Sequence, residues 1–157
     1  MADKARPIVI AYDGSDYAKE AIKQAGEQLR EGGRAIVLTV YEPLGALTFV
    51  GAPTVVPEEF EEDVDRKARA VAEEGATLAR SAGFDAEAAV EQGDPVWQRI
   101  VDFADEHDAR IVVMGSHGRT GVSRLLLGSV ASAAASHTNR TVLIAHVRSQ
   151  PSGERDT

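Results

Sequence analysis

The chain has no cysteine, which excludes a disulfide scaffold, a thiolate metal site and a cysteine nucleophile. It also lacks long apolar runs: none approaches the roughly 20 residues of a membrane-spanning helix. The start, Met1 to Pro7, is short and polar, unlike a signal peptide. These absences make the cytosol the expected compartment and argue against a membrane association. An excess of basic charge is missing too. Seventeen Lys and Arg stand against 25 Asp and Glu, a formal net charge of -8, which argues against nucleic acid or an anionic membrane as partner of the whole chain. Several catalytic signatures are absent as well. There is no Walker A lysine motif and no His-Glu-x-x-His. A Gly-x-Ser-x-Gly elbow fails because Ser123, two residues after Gly121, is followed at the required offset by Leu125. The four histidines are scattered, so they do not suggest a metal site.

What is present is the composition of one globular domain: 157 residues, 43% hydrophobic and 27% charged. A chain of this length buries about 68–70% of its unfolded surface, enough for a single core. The charge is unevenly spread. Residues 1–108 carry 23 acids and 11 bases, whereas residues 109–157 carry 2 acids and 6 bases together with three of the four histidines. The final third is therefore net positive, compatible with an anion bound nearby or with nothing more than an acidic helix elsewhere.

Short β-rich runs alternate with helical patterns. Pro7–Tyr12 and Ala35–Tyr41 are near-continuous apolar runs, as in strands buried on both faces. Between them Ser15 caps a helix with Ala18, Ala21, Ile22, Ala25 and Leu29 on one face, ended by Gly32-Gly33. Residues 43–57 have no period and read as a long loop over a site. A second helix begins near Pro57, with Phe60, Val64, Ala68, Val71 and Leu78 as its apolar face and an acidic run in its first turns. Phe84–Glu91 alternates like an edge strand. Asp94 as N-cap and Pro95 at the first helical position open a third helix. Arg110–Met114 is a fourth strand, Ser129–His137 a short helix rich in small residues, Thr141–Val147 a fifth strand, and residues 148–157 a flexible tail.

This β-α-β-α-β-α-β-α-β order predicts an α/β fold: a doubly wound, five-stranded parallel sheet with helices on both faces. The strand order is 3-2-1-4-5 or 2-1-3-4-5, and the ligand crevice lies at the carboxyl ends of the strands where the winding reverses. For 3-2-1-4-5 that point falls between the strand ended by Asp13 and the strand ended by Gly115. A glycine-spaced segment runs from Gly115 to Gly128, just before a helix start whose free N–H groups would suit an anion. Ser129 adds a hydroxyl donor there, or serves only as an N-cap. Asp13 faces a ligand or forms an Asx-turn.

The spacing Gly115-x2-Gly118-x9-Gly128-Ser129 resembles the ATP-binding signature of the universal stress protein family. Ile8–Ser15 resembles that family's first strand and turn, Ile111–Gly118 its fourth strand and loop, and Leu126–Val130 its final helix start. The resemblance implies a nucleotide-binding domain over residues 1–147 with order 3-2-1-4-5. It implies ATP contacts by Asp13 to the nucleoside and by Val40, or a neighbour, to adenine. It further implies contacts by Gly115, His117 and Gly118 near ribose and phosphates, and by Gly128, Ser129 and Val130 to the phosphates. Ala11, Tyr12 and Met114, which flank these positions, complete the expected set. Mg²⁺ or Mn²⁺ would bridge the phosphates. The last strand, Val142 to Val147, would pair with its twin in a homodimer. Many members have proline just before that strand, where this chain has Asn139-Arg140-Thr141. A phospho-receiver, which shares the layer order, needs an Asp after strand 3 and a Lys after strand 5. Gln92 and Gly93 stand at the first place, and no Lys follows Lys67. The expected role is a cytosolic ATP-binding stress-response or signalling module with an unidentified protein partner. The alternatives are a dimeric interaction protein of the same fold that binds no nucleotide, and a slow nucleotide-hydrolysing enzyme on a related fold.

Overall fold

A computed structural model of the protein describes residues 6–29, 32–44, 56–119 and 126–147. The elements run β1 (Ile8–Ala11), α1 (Asp16–Gln28), β2 (Arg34–Tyr41), α2 (Glu58–Ser81), β3 (Asp85–Gln92), α3 (Val96–Glu106), β4 (Ile111–Gly115), α4 (Ser129–His137) and β5 (Thr141–Ala145). The strands form one parallel sheet in the order β3-β2-β1-β4-β5. β1 is central: Ile8 sits opposite Ala35 of β2 on one side and Ile111 of β4 on the other. The chain winds outward in both directions from it, so the switch point lies between β1 and β4.

Alternation along the strands builds two cores. Ile8, Ile10 and Tyr12 pack on the α1/α2 side with Val37 and Val113, whereas Val9, Ile36, Leu38, Val112 and Met114 pack on the α3/α4 side. Burial on both faces is why β1, β2 and β4 read as continuous apolar runs. β3 is an edge strand, with Ala86 buried and Glu87 paired to Arg34 on the exposed side. Ser15 caps α1, its Oγ accepting the Ala18 N–H at 3.2 Å.

Three expectations change. α2 buries Ala68, Ala72, Gly75, Ala76 and Ala79, while Phe60 is 59% exposed and Leu78 is also exposed. Phe60 and Leu78 are 18 residues apart, about five helical turns, so they share a line beside the small-residue stripe. Small side chains let the helix sit close to the sheet, and its 24 residues outrun the 8-residue strands beneath them. Second, α3 starts at Val96: Pro95 occupies the N-cap with extended backbone, Asp94-Pro95 is cis, and no side chain caps the helix. Third, β5 ends at Ala145, which pairs with Gly115, the last residue of β4. The β4 chain then turns away and leaves His146 and Val147 no strand to pair with. Most of the 43–57 loop, residues 45–55, and the tail 148–157 lie outside the described residues.

Candidate functional site

At the carboxyl ends of β1, β2 and β4 the sheet opens into a cavity of about 460 Å³, within the range of small-molecule pockets. All eleven residues expected at a ligand site line it: Ala11, Tyr12, Asp13, Val40, Met114, Gly115, His117, Gly118, Gly128, Ser129 and Val130. Segments distant in sequence converge here because the strand order brings the carboxyl ends of β1, β2 and β4 side by side, with the starts of α3 and α4 beside them. The floor is the apolar α3/α4 face of the sheet, Ala11, Leu38, Val40 and Met114. Val96 and Ile100 of α3 form one wall, and residues 126–131 leading into α4 form another.

The polar groups at the rim have definite partners. The Asp13 Oδ1 accepts the Ser15 N–H at 2.9 Å, an Asx-turn that sets the entry to α1. Its other oxygen faces Gly118, standing 3.0 Å from where a Cβ on that glycine would be. Tyr12 contributes to the cavity at the end of β1, but its side chain packs on the opposite face of the sheet, where its hydroxyl donates to Glu74 Oε1 at 2.5 Å. Burial, reinforced by that carboxylate, pushes the phenol well above its ordinary value, and the same bond holds the Glu74 carboxyl below its own. Both ring nitrogens of His117 are engaged, Nδ1 with Ser116 Oγ at 3.0 Å and Nε2 with the Leu126 carbonyl. Its ring also lies 5.0 Å from that of Tyr17. The bond to a carbonyl requires a proton on Nε2; in the neutral ring Nδ1 then accepts from the Ser116 hydroxyl. His117 thus joins the two ends of the loop between β4 and α4.

Two glycines of the spaced segment are explained by packing within the chain. A Cβ on Gly115 would stand 2.7 Å from the Tyr17 backbone carbon, so glycine lets β4 end against the first turn of α1. A Cβ on Gly128 would stand 2.9 Å from the Ser116 carbonyl oxygen, which already accepts the Gly128 N–H at 2.7 Å. That contact draws α4 against the end of β4. Gly128, not Ser129, is the N-cap, so the Ser129 hydroxyl is not spent on capping. Ser129, Val130 and Ala131 occupy the first turn of α4, where backbone N–H groups have no acceptor within the helix, and all three line the cavity. Arg119, next to Gly118, lies over the Asp13–Gly14 turn, its Nε donating to the Asp13 carbonyl at 2.7 Å. Arg124 lies outside the described residues.

The model of the universal stress protein family matches residues 4–146. The chain belongs to the universal stress protein family. It is 31% identical over 142 residues to a universal stress protein of Methanocaldococcus jannaschii, covering 88% of this chain and 81% of that one. Among solved structures, a universal stress protein in complex with cAMP superposes with a TM-score of 0.66 at 27% identity, over 91% of this chain and 98% of the other. The Archaeoglobus fulgidus universal stress protein in complex with dAMP superposes with a TM-score of 0.60 at 27% identity, over 90% and 98% of the two chains.

In this universal stress protein the sequence pattern did not single out Leu38, Val96 or Ile100 as cavity residues. Leu38 and Ile100 read as core and Val96 carried no assignment, and all three pack in the α3/α4-side cluster. Nothing in one sequence distinguishes a core side chain from one at the cavity end of the core. Among the described residues, no group of three or more His, Cys, Asp or Glu is placed to hold a metal ion. Among them also, no helix is long and apolar enough to cross a membrane.

Proposed function

We propose that this universal stress protein binds a nucleotide, ATP foremost, in the cavity between β1 and β4, and serves as a cytosolic nucleotide-responsive stress or signalling module. The observation that carries this reading is one cavity with two chemistries. An apolar floor of Ala11, Leu38, Val40 and Met114 faces the first turn of α4, whose N–H groups and Ser129 hydroxyl suit phosphate oxygens. A purine fits the former and a phosphate chain the latter, with Asp13 and Gly118 between them for the ribose. Two universal stress proteins of the same fold, bound to cAMP and to dAMP, support nucleotide binding in general. Mg²⁺ or Mn²⁺, where present, would be held chiefly by phosphates and water, since Asp13 is the carboxylate among the cavity-lining residues.

The site is better suited to binding than to turnover. One Asp13 oxygen and both His117 nitrogens already serve bonds within the chain, so no poised general base faces the phosphate end. The β5 edge, with Val142, Leu143 and Ile144 half-buried, is the surface through which a second copy would pair. Light scattering at micromolar concentration tests this: a dimer mass is expected, and a monomer contradicts it. Nucleotide binding itself is tested by denaturing the purified protein and identifying the released small molecules by mass spectrometry. ATP at near one per chain is the expected result. An empty protein whose melting temperature is unmoved by added ATP contradicts the reading. AMP or ADP accumulating with time would instead point to hydrolysis.

A further inference from the structure

Phe60 and Leu78 are the two large apolar side chains of α2 that stay exposed, and they stand at opposite ends of one line along the helix. Val64 and Val71, half-buried, lie between them on the same line. Leu78 is one wall of a groove of about 430 Å³ between α1 and α2. Ile22 and Ala82 complete its apolar lining. The helices touch at Gly26, where a Cβ would stand 2.8 Å from the Ala82 carbonyl oxygen, and this contact closes one end of the groove. Lys19 and Lys23, one turn apart on α1, bring two positive charges to it, against the single acid Glu27. Lys23 pairs with no carboxylate among the described residues, and Lys19 stands 3.5 Å from Glu74. The start of α2 has the opposite character. Glu58, Glu59, Glu61 and Glu62 surround Phe60, all exposed, and none pairs with a cation among the described residues.

We propose that a second copy of this chain docks on this groove, Phe60 of each copy inserting beside Leu78 of the other, with its glutamates over Lys19 and Lys23. The two ends of α2 are complementary in charge, and each offers the large apolar side chain that the other lacks a cover for. They also match in spacing. Two α2 helices lying antiparallel about a two-fold axis midway between Phe60 and Leu78 make both contacts at once, a closed isologous pairing. An aromatic anchor set in a groove and ringed by charge is the composition of an interface hot spot. α2 covers β2 and β3, on the far side of the sheet from β5. The contact therefore leaves the β5 edge free and does not depend on the nucleotide reading.

The chain has no cysteine, so introduced thiols report this contact without interference. Phe60→Cys and Leu78→Cys are made singly in the full chain, mixed, oxidised at micromolar concentration, and cross-linked dimer is measured on a non-reducing gel. Both positions are exposed, so both variants are expected to keep the wild-type melting temperature. The mixture joins position 60 of one copy to position 78 of the other and leaves the native Phe60–Leu78 contact at the opposite end. In either variant alone the two thiols lie about 27 Å apart across the axis, beyond the roughly 7 Å between Cα atoms that a disulfide spans. At least about tenfold more cross-linked dimer is therefore expected from the mixture than from either variant alone. Equal yields, or no cross-link in the mixture, would overturn the proposal. Lys23→Glu added to the Leu78→Cys chain sets like charge against the glutamates around Phe60 and is expected to lower the yield about threefold. An unchanged yield there would overturn it as well.

Discussion

Asp13 carries two duties that a pair of substitutions separates. Its Oδ1 holds the Ser15 N–H, and asparagine keeps that acceptor. Asp13→Asn is expected to stay within about 0.5 kcal/mol of wild type in denaturant unfolding, and Asp13→Ala to lose about 1 kcal/mol. If the carboxylate meets the ribose, both variants weaken nucleotide binding, and calorimetry reads that loss separately from stability. Gly115 makes a sharper point. It looks like a glycine kept small for a ligand, yet its missing Cβ is required by the Tyr17 backbone. Gly115→Ala is expected to cost about 1–3 kcal/mol in unfolding without any nucleotide present. A cost near zero would show that the approach to Tyr17 relaxes easily. The glycine spacing was legible in the sequence, but its physical cause was not, because that lies in a helix a hundred residues earlier.

At the scale of elements, the alternation of buried strands and amphipathic helices was readable because β1, β2 and β4 are apolar on both faces and the helices on one. Boundaries set by tertiary context were not. Phe60 keeps the helical period but lies beyond the sheet it was expected to cover, and β5 stops where its partner β4 turns away. The absence of proline before β5 also has a local answer. Arg140, just before β5, donates to Asp105 at 2.7 Å, to Asp108 at 2.9 Å and to the Ala109 carbonyl at 2.6 Å, and Arg6 joins the same Asp108. These bonds tie the start of β5 to the turn between α3 and β4 and to the N-terminal segment. Arg140→Ala is expected to lower stability by about 1–2 kcal/mol at neutral pH. The bond from Arg140, with Arg6 nearby, holds the Asp108 carboxyl below its ordinary 3.8. A depressed folded value means this support is present above pH 3.8 and is lost as the pH falls through the folded value. Unfolding curves at pH 7 and pH 3 check this: the gap between wild type and Arg140→Ala is expected to shrink in acid.

For the whole molecule, Tyr12 and Tyr41 contribute to the alkaline side. The buried Tyr12 phenol, next to Glu74, ionises well above the ordinary 10.0, and Tyr41 is raised as well, mainly by burial. With folded values raised, their contribution is complete below pH 10 and is lost as the pH rises through the folded values. Tyr12→Phe is expected to remove much of the stability loss seen above pH 10 while costing about 1 kcal/mol at pH 7 through the lost bond to Glu74. The charge of the molecule follows a similar division. The net of -8 describes the chain as a whole, while the site between β1 and β4 is built partly from its net-positive final third. Composition alone could not locate that site. The strand order places the cavity, and the resemblance in glycine spacing supplied the residues to look for.

The cavity between β1 and β4 is the proposed place of the nucleotide. Ala11 is half-buried on its floor, where a larger apolar side chain fills space now open and leaves the α4 turn untouched. Titration of ATP into wild type and Ala11→Leu tests whether the nucleotide occupies this cavity. Saturable binding near one per chain is expected in wild type and at least about a tenfold loss in Ala11→Leu, with a melting temperature equal to or above that of wild type. Equal affinity in the two proteins, or no binding by wild type, would contradict this placement.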